Sequence, residues 1–135
     1  MMSPADDSRK LTAADVLARY NDGHWPDFCD PLTDVNQVGT FGNRPLHLAS
    51  HHGNMEEIEA LVEGGADVNV VGDMGSTPLH DAALGGNPEA VRFLLEHGAR
   101  SNVKDEFGRT ALDVACLHGR SDIVALLTVS GKNPN

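Results

Sequence analysis

One stretch of this 135-residue sequence recurs every 33 residues. "RPLHLA" begins at Arg44, "TPLHDA" at Thr77 and "TALDVA" at Thr110. The columns that keep the same interval include Gly53, Gly86 and Gly119; Asn36, Asn69 and Asn102; and Leu61, Leu94 and Leu127. A fixed period over so many columns indicates a chain built from stacked copies of one small unit, each packing against its neighbours.

The middle copy predicts two short helices followed by a tight loop. The first helix is expected over 78–84, because it opens with a proline where a missing N–H is tolerated and stops at a glycine pair. The second is expected over 88–96, with Val91, Leu94 and Leu95 spaced at i, i+3 and i+4 to share one buried face. Gly98 then stands where a left-handed helix end is expected. The following "DVNVVGDMGS" alternates and turns like a small β-hairpin.

This unit resembles the ankyrin repeat. The shared pattern is G-x-T-P-L-H-x-A-A-x-x-G-N-x-E-x-V-x-x-L-L-x-x-G-A-D-V-N, and the tabulated ankyrin period is also 33 residues. The resemblance implies an all-α repeat solenoid of helix-turn-helix units linked by short β-hairpin-like loops. It divides the chain into repeats at 34–66, 67–99 and 100–135, the last including a C-terminal cap.

Residues 1–33 are interpreted as a degenerate N-terminal capping unit. Moving back by one period aligns Val16 with Ala49, so a first helix is expected near this position. Thr12 is its predicted N-cap, and Asp15 lies in its first turn, where negative charge favours the helix dipole.

The histidines have a structural and a chemical interpretation. The resemblance implies that Thr77 and His80, like His47, hydrogen-bond locally and fix the turn onto the first helix. His47 and His51 also have the i, i+4 spacing with which two histidines share a zinc ion. A structural zinc site needs four ligands, and no cysteine or carboxylate lies beside them at helical spacing. We therefore predict no metal site, with His51 and His52 as surface groups.

No pattern of an enzyme is found. Ser76 and Ser121 lie at turns or helix starts and have no base at a recognisable spacing, and the glycine-rich stretches lack the Lys-Ser/Thr of a phosphate loop. No cofactor is expected. The two cysteines, Cys29 and Cys116, are far apart and lack CxxC spacing, which favours reduced thiols and a cytoplasmic location. Cys116 falls in a column of small residues, so a buried, inert thiol is predicted.

The charge of the chain limits its partners. A net charge of −10 argues against nucleic acid and anionic membranes, which need clustered Lys and Arg, and it favours a basic protein. No apolar run approaches the length of a membrane span, and the first residues lack the apolar segment of a signal peptide. The acidic stretch "MEEIEALVE", with Glu56 and Glu57, is expected to line a solvated outer helix of a monomer.

The predicted function is protein binding on the concave face of the solenoid, without enzymatic activity. The resemblance places the binding positions at the loop tips and near the ends of the first helices. Those residues are Thr40, Phe41, Asn43, His51, His52, Asp73, Met74, Ser76, Leu84, Glu106, Phe107, Arg109, Leu117 and His118. The alternative function is a dedicated inhibitor, an immunity protein or antitoxin that masks the active site of a basic effector enzyme.

One column of that surface is unusually apolar. Phe41, Met74 and Phe107 share the 33-residue interval on tips that are expected to face solvent. Exposed aromatic and methionine side chains with polar neighbours are typical of the centre of a protein interface. The other interpretation is that each side chain folds onto the neighbouring loop and covers it.

Overall fold

Helices form the regular secondary structure of residues 11–22, 34–39 and 42–132, the parts of the chain that a computed structural model describes. Their order along the chain is α1 Ala13–Asp22, α2 Pro45–His52, α3 Met55–Glu63, α4 Pro78–Gly85, α5 Pro88–Glu96, α6 Ala111–Leu117 and α7 Ser121–Lys132. A single 3₁₀ turn lies between α3 and α4, at Asp73–Gly75. The two helices predicted for the middle copy are confirmed to within one residue.

The helices stack as three successive pairs. The first helices α2, α4 and α6 pack against one another in order, and so do the second helices α3, α5 and α7. Within each pair the first helix packs on the second. The predicted all-α repeat solenoid is therefore confirmed.

Helix α4 shows why this sequence forms such short helices. Thr77 is its N-cap, and the Thr77 hydroxyl accepts a hydrogen bond from the His80 N–H at 3.3 Å. Pro78 follows at the first helical position, where no N–H is needed. Gly86 ends the helix at φ 76°, a left-handed conformation that glycine adopts without steric cost. The recurring Pro and Gly positions thus fix both ends.

The core lies between the stacked helices. Leu46 and Leu79 are 1% exposed, and Leu61 and Leu94 are completely buried. The first helices meet through small residues such as Ala82, which lets them approach closely. The core is therefore a continuous row of aliphatic side chains along the array, as expected when each unit buries its apolar face on its neighbour.

The loops between pairs differ slightly from the predicted β-hairpins. No strand forms among the described residues. Turn hydrogen bonds close each loop instead, and one of them joins the loop ends: the Gly72 N–H donates to the Ser76 carbonyl and the Asp105 N–H to the Arg109 carbonyl, both at 2.8 Å. The loops turn like hairpins, but they are too short to form ladders.

The buried histidines join successive pairs. His80 Nδ1 accepts the Thr77 N–H at 3.1 Å, which confirms the predicted local bond. That bond leaves Nε2 to donate to the Arg109 carbonyl at 2.8 Å, 29 residues ahead. His47 Nε2 lies 3.0 Å from the Ser76 carbonyl, at the same separation. We call these side-chain bonds to the backbone of the next pair forward tethers.

The asparagine column supplies a second set of forward tethers. The Asn69 amide donates to the Gly98 carbonyl at 3.0 Å, and its carbonyl oxygen accepts the Arg100 N–H at 2.8 Å. Asn36 makes the equivalent bonds to Gly65 and Asp67. The histidine column and the asparagine column therefore recur for the same physical reason: their side chains bond each helix pair to the next.

Helix α1 begins as predicted but packs differently from the other first helices. The Thr12 hydroxyl accepts the Asp15 N–H at 3.2 Å, and Asp15 in turn accepts the Thr12 N–H at 2.9 Å, so the predicted N-cap is confirmed. The helix packs on α3, a second helix, whereas α2, α4 and α6 pack on one another. Residues 23–33 lie outside the described residues, so the rest of the predicted cap stays a prediction.

The position of α1 corrects the prediction for Glu57. This residue is only 8% exposed; the Tyr20 hydroxyl donates to its carboxylate at 2.8 Å and the Arg19 guanidinium at 3.1 Å. Burial, together with the negative charge of Glu57, raises the pKa of Tyr20 well above its usual value. Glu57 is therefore part of the contact with α1, whereas Glu56 is exposed, as predicted.

The prediction for Cys116 was also wrong, because its thiol is exposed and free. The equivalent residues Ser50 and Ala83 are fully buried, since the next pair packs over them. Cys116 lies in the last pair, and none of the described residues covers it. Among the described residues, the column is therefore buried only where a further helix pair packs over it.

Candidate protein-binding surface

The predicted tip residues lie on two consecutive loops beside the ends of the first helices. We call this surface, formed by the 72–76 and 105–109 loops and by the ends of α4 and α6, the tip face. Thr40 and Phe41 lie outside the described residues, so the first tip is represented by Asn43. The Asn43 side chain accepts the Asp73 N–H at 2.9 Å and so holds one tip to the next.

Met74 is presented to solvent by a strained backbone. Its φ of 57° is left-handed, and it is the one non-glycine residue with positive φ in the described parts of the chain. Such a conformation costs about 1–2 kcal/mol for an L-residue. Its carbonyl accepts the Glu106 N–H at 3.0 Å, which joins the two tips. The side chain is 55% exposed, so it does not fold down onto a neighbouring loop.

Phe107 extends the same apolar column and is 62% exposed. The Arg109 guanidinium lies 5.0 Å from the centre of its ring, within the range of a cation–π contact. Arg109 also donates to Asp105 at 3.0 Å. Burial alone would raise the pKa of Asp105, but hydrogen bonds from the Arg109 and Phe107 N–H groups and the Arg109 charge lower it. The third tip is thus rigid and internally charge-paired.

A second apolar row follows the ends of the first helices. Leu84 is 37% exposed and Leu117 is 65% exposed, at equivalent positions of α4 and α6. Met74, Phe107 and these two leucines give the tip face its apolar character.

An acidic groove of about 220 Å³ lies between the tips and the helix ends. Asp73 and Asp81 line it, and the Ser76 hydroxyl donates to the Asp81 carboxylate at 3.0 Å. Burial, reinforced by the negative charge of Asp73, raises the pKa of Asp81 to about 7, although the bond from Ser76 opposes this shift. Asp81 was not among the predicted site residues. Its position directly after a TPLH motif was the only signal in the sequence.

About half of the predicted site residues lie together in the wall of this groove. Those that line it are Asn43, Asp73, Met74, Ser76, Leu84, Arg109 and His118. Glu106, Phe107 and Leu117 lie on the tip face outside the groove and are exposed. His51 and His52 are exposed at the end of α2, with ring centroids 5.7 Å apart. Among the described residues no three potential ligands come together around a metal position.

The second helices form a different groove of about 700 Å³, wide and open, between α5 and α7. Arg92, Leu95 and Leu126 are among the residues that line it. None of the predicted site residues that the structure describes lies there. This groove is the alternative to the tip face as a candidate binding surface.

Comparison with known families agrees with the geometry of the stack. A family model of ankyrin repeats, in three copies, matches residues 16–105, and the model of a single ankyrin repeat matches residues 107–135. The chain belongs to the ankyrin-repeat family. Its repeats indicate a protein–protein interaction module, and members of the family are generally not enzymes. A comparison with curated proteins gave no match. Within the described residues, every helix is too short or too polar to span a bilayer.

Proposed function

We propose that the chain binds a partner protein on its concave face, through the tip face defined above. The observation that supports this most directly is the exposure of Met74, Phe107 and Leu117 around the groove. Large apolar side chains on a rigid surface lose little conformational freedom when they bind, so they are effective interface anchors. The acidic groove and the net charge of −10 favour a basic partner. No feature of the described residues favours a dedicated inhibitor over a general binding module.

The test compares two double variants in binding to a protein retained from native cell extract. Met74→Ala with Phe107→Ala removes the central tip side chains, and the affinity should fall by about 2–4 kcal/mol, mainly through faster dissociation. The melting temperature should change little, because both side chains lie outside the core.

The control reverses charge on the second helices, with Glu56→Lys and Glu89→Lys. Both residues are exposed and lie away from the groove. This variant should only slow association and reduce its sensitivity to salt. If the control abolishes binding while the tip variant binds normally, the partner lies on the second helices and the proposal is wrong.

A further inference from the structure

The acidic groove holds two carboxylates that lack a cationic partner. Asp105 is paired with Arg109, but neither Asp73 nor Asp81 forms an ion pair with any described residue. Among the described residues, the Ser76 hydroxyl is the one hydrogen-bond donor to the Asp81 carboxylate, which lies in a half-buried position. A carboxylate that is withdrawn from water and unpaired is stabilised when an opposite charge reaches it.

The walls of the same groove are apolar on one side. Met74 and Leu84 line it beside the carboxylates, and both are exposed. Its volume of about 220 Å³ is below the ~300–1,000 Å³ typical of sites for whole small molecules. Such a groove has room for one long side chain with an apolar stem and a polar end.

We infer that the groove is the subsite for a single Lys or Arg side chain of the partner protein, an inference that rests on the proposed function. The positive end group pairs with Asp73 and Asp81. The methylene stem lies along Met74 and Leu84, in the manner of basic side chains that bury their stems and keep their charge at a polar end. The inference thus assigns the groove a defined chemistry, an isolated basic residue flanked by apolar ones, rather than a diffuse attraction between charges.

The experiment uses two short peptides that differ in one charge. Acetyl-Leu-Arg-Leu-amide and its citrulline counterpart have nearly the same shape, and only the arginine peptide is cationic. In NMR titrations of the full chain, the arginine peptide should shift the resonances of Asp73, Met74 and Asp81. The citrulline peptide should bind at least ~10-fold more weakly, the effect expected for losing a partly buried charge-assisted pair.

Matched variants separate a subsite from the overall negative field. Asp73→Asn with Asp81→Asn should reduce the affinity for the arginine peptide to that for citrulline. Glu56→Gln with Glu89→Gln removes the same charge from exposed positions on α3 and α5, and it should leave the affinity unchanged within a factor of about two. Equal loss in both variants would mean that only net charge matters, and the inference would fail.

The pH dependence gives an independent readout. The pKa of Asp81 is raised to about 7, so its carboxylate ionises between about pH 6 and about pH 8. Affinity for the arginine peptide should rise up to ~10-fold over that interval and should be flatter in Asp81→Asn. The other charged or titratable groups facing Asp81 are Asp73, Asp105, Arg109, His80 and His118. They remain in both proteins, so the difference between the two profiles reports Asp81.

The outcomes distinguish this inference from the proposed function. If both peptides shift the tip face with equal affinity, the surface binds apolar segments without a cation, and only the subsite is refuted. If neither peptide shifts the groove residues, the subsite is again refuted, whereas the proposed function is decided by the Met74 and Phe107 double variant with its protein partner.

Discussion

His80 and Asp113 show how one position of the repeat does two jobs. Both accept the N–H of the N-cap threonine, at 3.1 Å from Thr77 and 3.0 Å from Thr110. Only His80 also reaches the next loop, through its forward tether to Arg109. In the last pair the described residues include no following loop to reach, so a shorter aspartate is sufficient for the cap.

The two residues should therefore differ in their effect on stability. His80→Ala should lower the free energy of unfolding by about 2–4 kcal/mol, because it removes a cap, a tether and a buried ring. Asp113→Ala, which removes only an exposed cap, should lower it by about 1 kcal/mol. Urea denaturation of both variants measures the difference. Equal losses would show that the tether to Arg109 contributes nothing.

His47 predicts a dependence of stability on acid pH. Burial lowers its pKa from 6.5 to about 4 in the folded chain, and the nearby Arg44 charge acts in the same direction. Between these values the unfolded state binds a proton that the folded state does not, so the His47 contribution to stability falls as pH falls from 6.5 towards 4, by at most about 3 kcal/mol.

The raised pKa of Asp81 works in the opposite sense, since its contribution is lost as pH rises. The measurement is therefore a difference in acid sensitivity: as pH falls from 6.5 towards 4, the original chain should lose stability relative to His47→Gln in urea titrations. His51→Gln, at an exposed histidine of the same helix, should leave the sensitivity unchanged. Parallel profiles in His47→Gln and the original chain would contradict the lowered pKa of His47.

The sequence predicted local partners better than distant ones. The bond between Thr77 and His80 spans three residues and follows from the motif, whereas the bond from His80 to Arg109 spans 29. Glu57 was misplaced for the same reason. Its partners Arg19 and Tyr20 lie in a segment that departs from the repeat, so the period gave no register for them.

At the scale of elements, the period fixed which helices form and which faces are buried. On α5, Leu94 is completely buried between neighbouring helices, as predicted, whereas Leu95, which was also predicted to be buried, is only half-buried because it borders the wide groove. The position of α1 could not be predicted, because a helix that caps a stack is not bound to repeat the contacts of the others.

The adjacent residues Leu94 and Leu95 give a matched test of which face of α5 is buried. Leu94→Ala should lower the free energy of unfolding by about 2–5 kcal/mol, because it opens a cavity in the core. Leu95→Ala should lose about 1–2 kcal/mol, since part of that side chain is already in water. Thermal or urea unfolding measures both. A larger loss at Leu95 would mean that α5 is rotated about its axis.

The loops give a second matched pair. Met74 has a left-handed backbone, so Met74→Gly should raise the free energy of unfolding by about 0.5–1 kcal/mol. Phe107 has no positive φ at the equivalent position, and Phe107→Gly should lower it by a similar amount through lost backbone rigidity. Urea denaturation would detect both changes. A destabilised Met74→Gly would mean that the side chain supports its loop.

At the scale of the whole molecule, each helix pair contacts only its neighbours, so stability should be distributed along the array. The family and the stacking order followed from the 33-residue period. The exposure of Cys116 did not, because the column is buried only where a further helix pair packs over it, and the described residues contain no such pair beyond α6 and α7. The binding partner is likewise not encoded in the period, since the repeat specifies a scaffold and leaves the tips free to differ.

Core substitutions at the end and in the middle of the array should therefore destabilise different sets of helices. Leu127→Ala in α7 should reduce the hydrogen-exchange protection of α6 and α7 and leave that of α2 and α3 largely intact. Leu79→Ala in α4, which packs against α2, α5 and α6, should reduce protection in all three pairs. Exchange followed by mass spectrometry measures this directly. Uniform loss in both variants would show that the array unfolds as one cooperative unit.

The forward tethers have a consequence for how such a chain can change. His47 and His80 bind the carbonyls of Ser76 and Arg109, and Asn69 binds the backbone of Gly98 and Arg100. Every one of these acceptors or donors in the next pair is a main-chain atom, present whatever side chain stands there. The tethers therefore do not depend on the side chains of Ser76 and Arg109, although Gly72 must remain glycine because a Cβ there would lie 2.8 Å from the His47 ring. Substitutions of tip side chains can therefore change which partner is recognised, while the bonds that hold the stack together stay in place. Binding specificity and architecture are separable properties in this molecule.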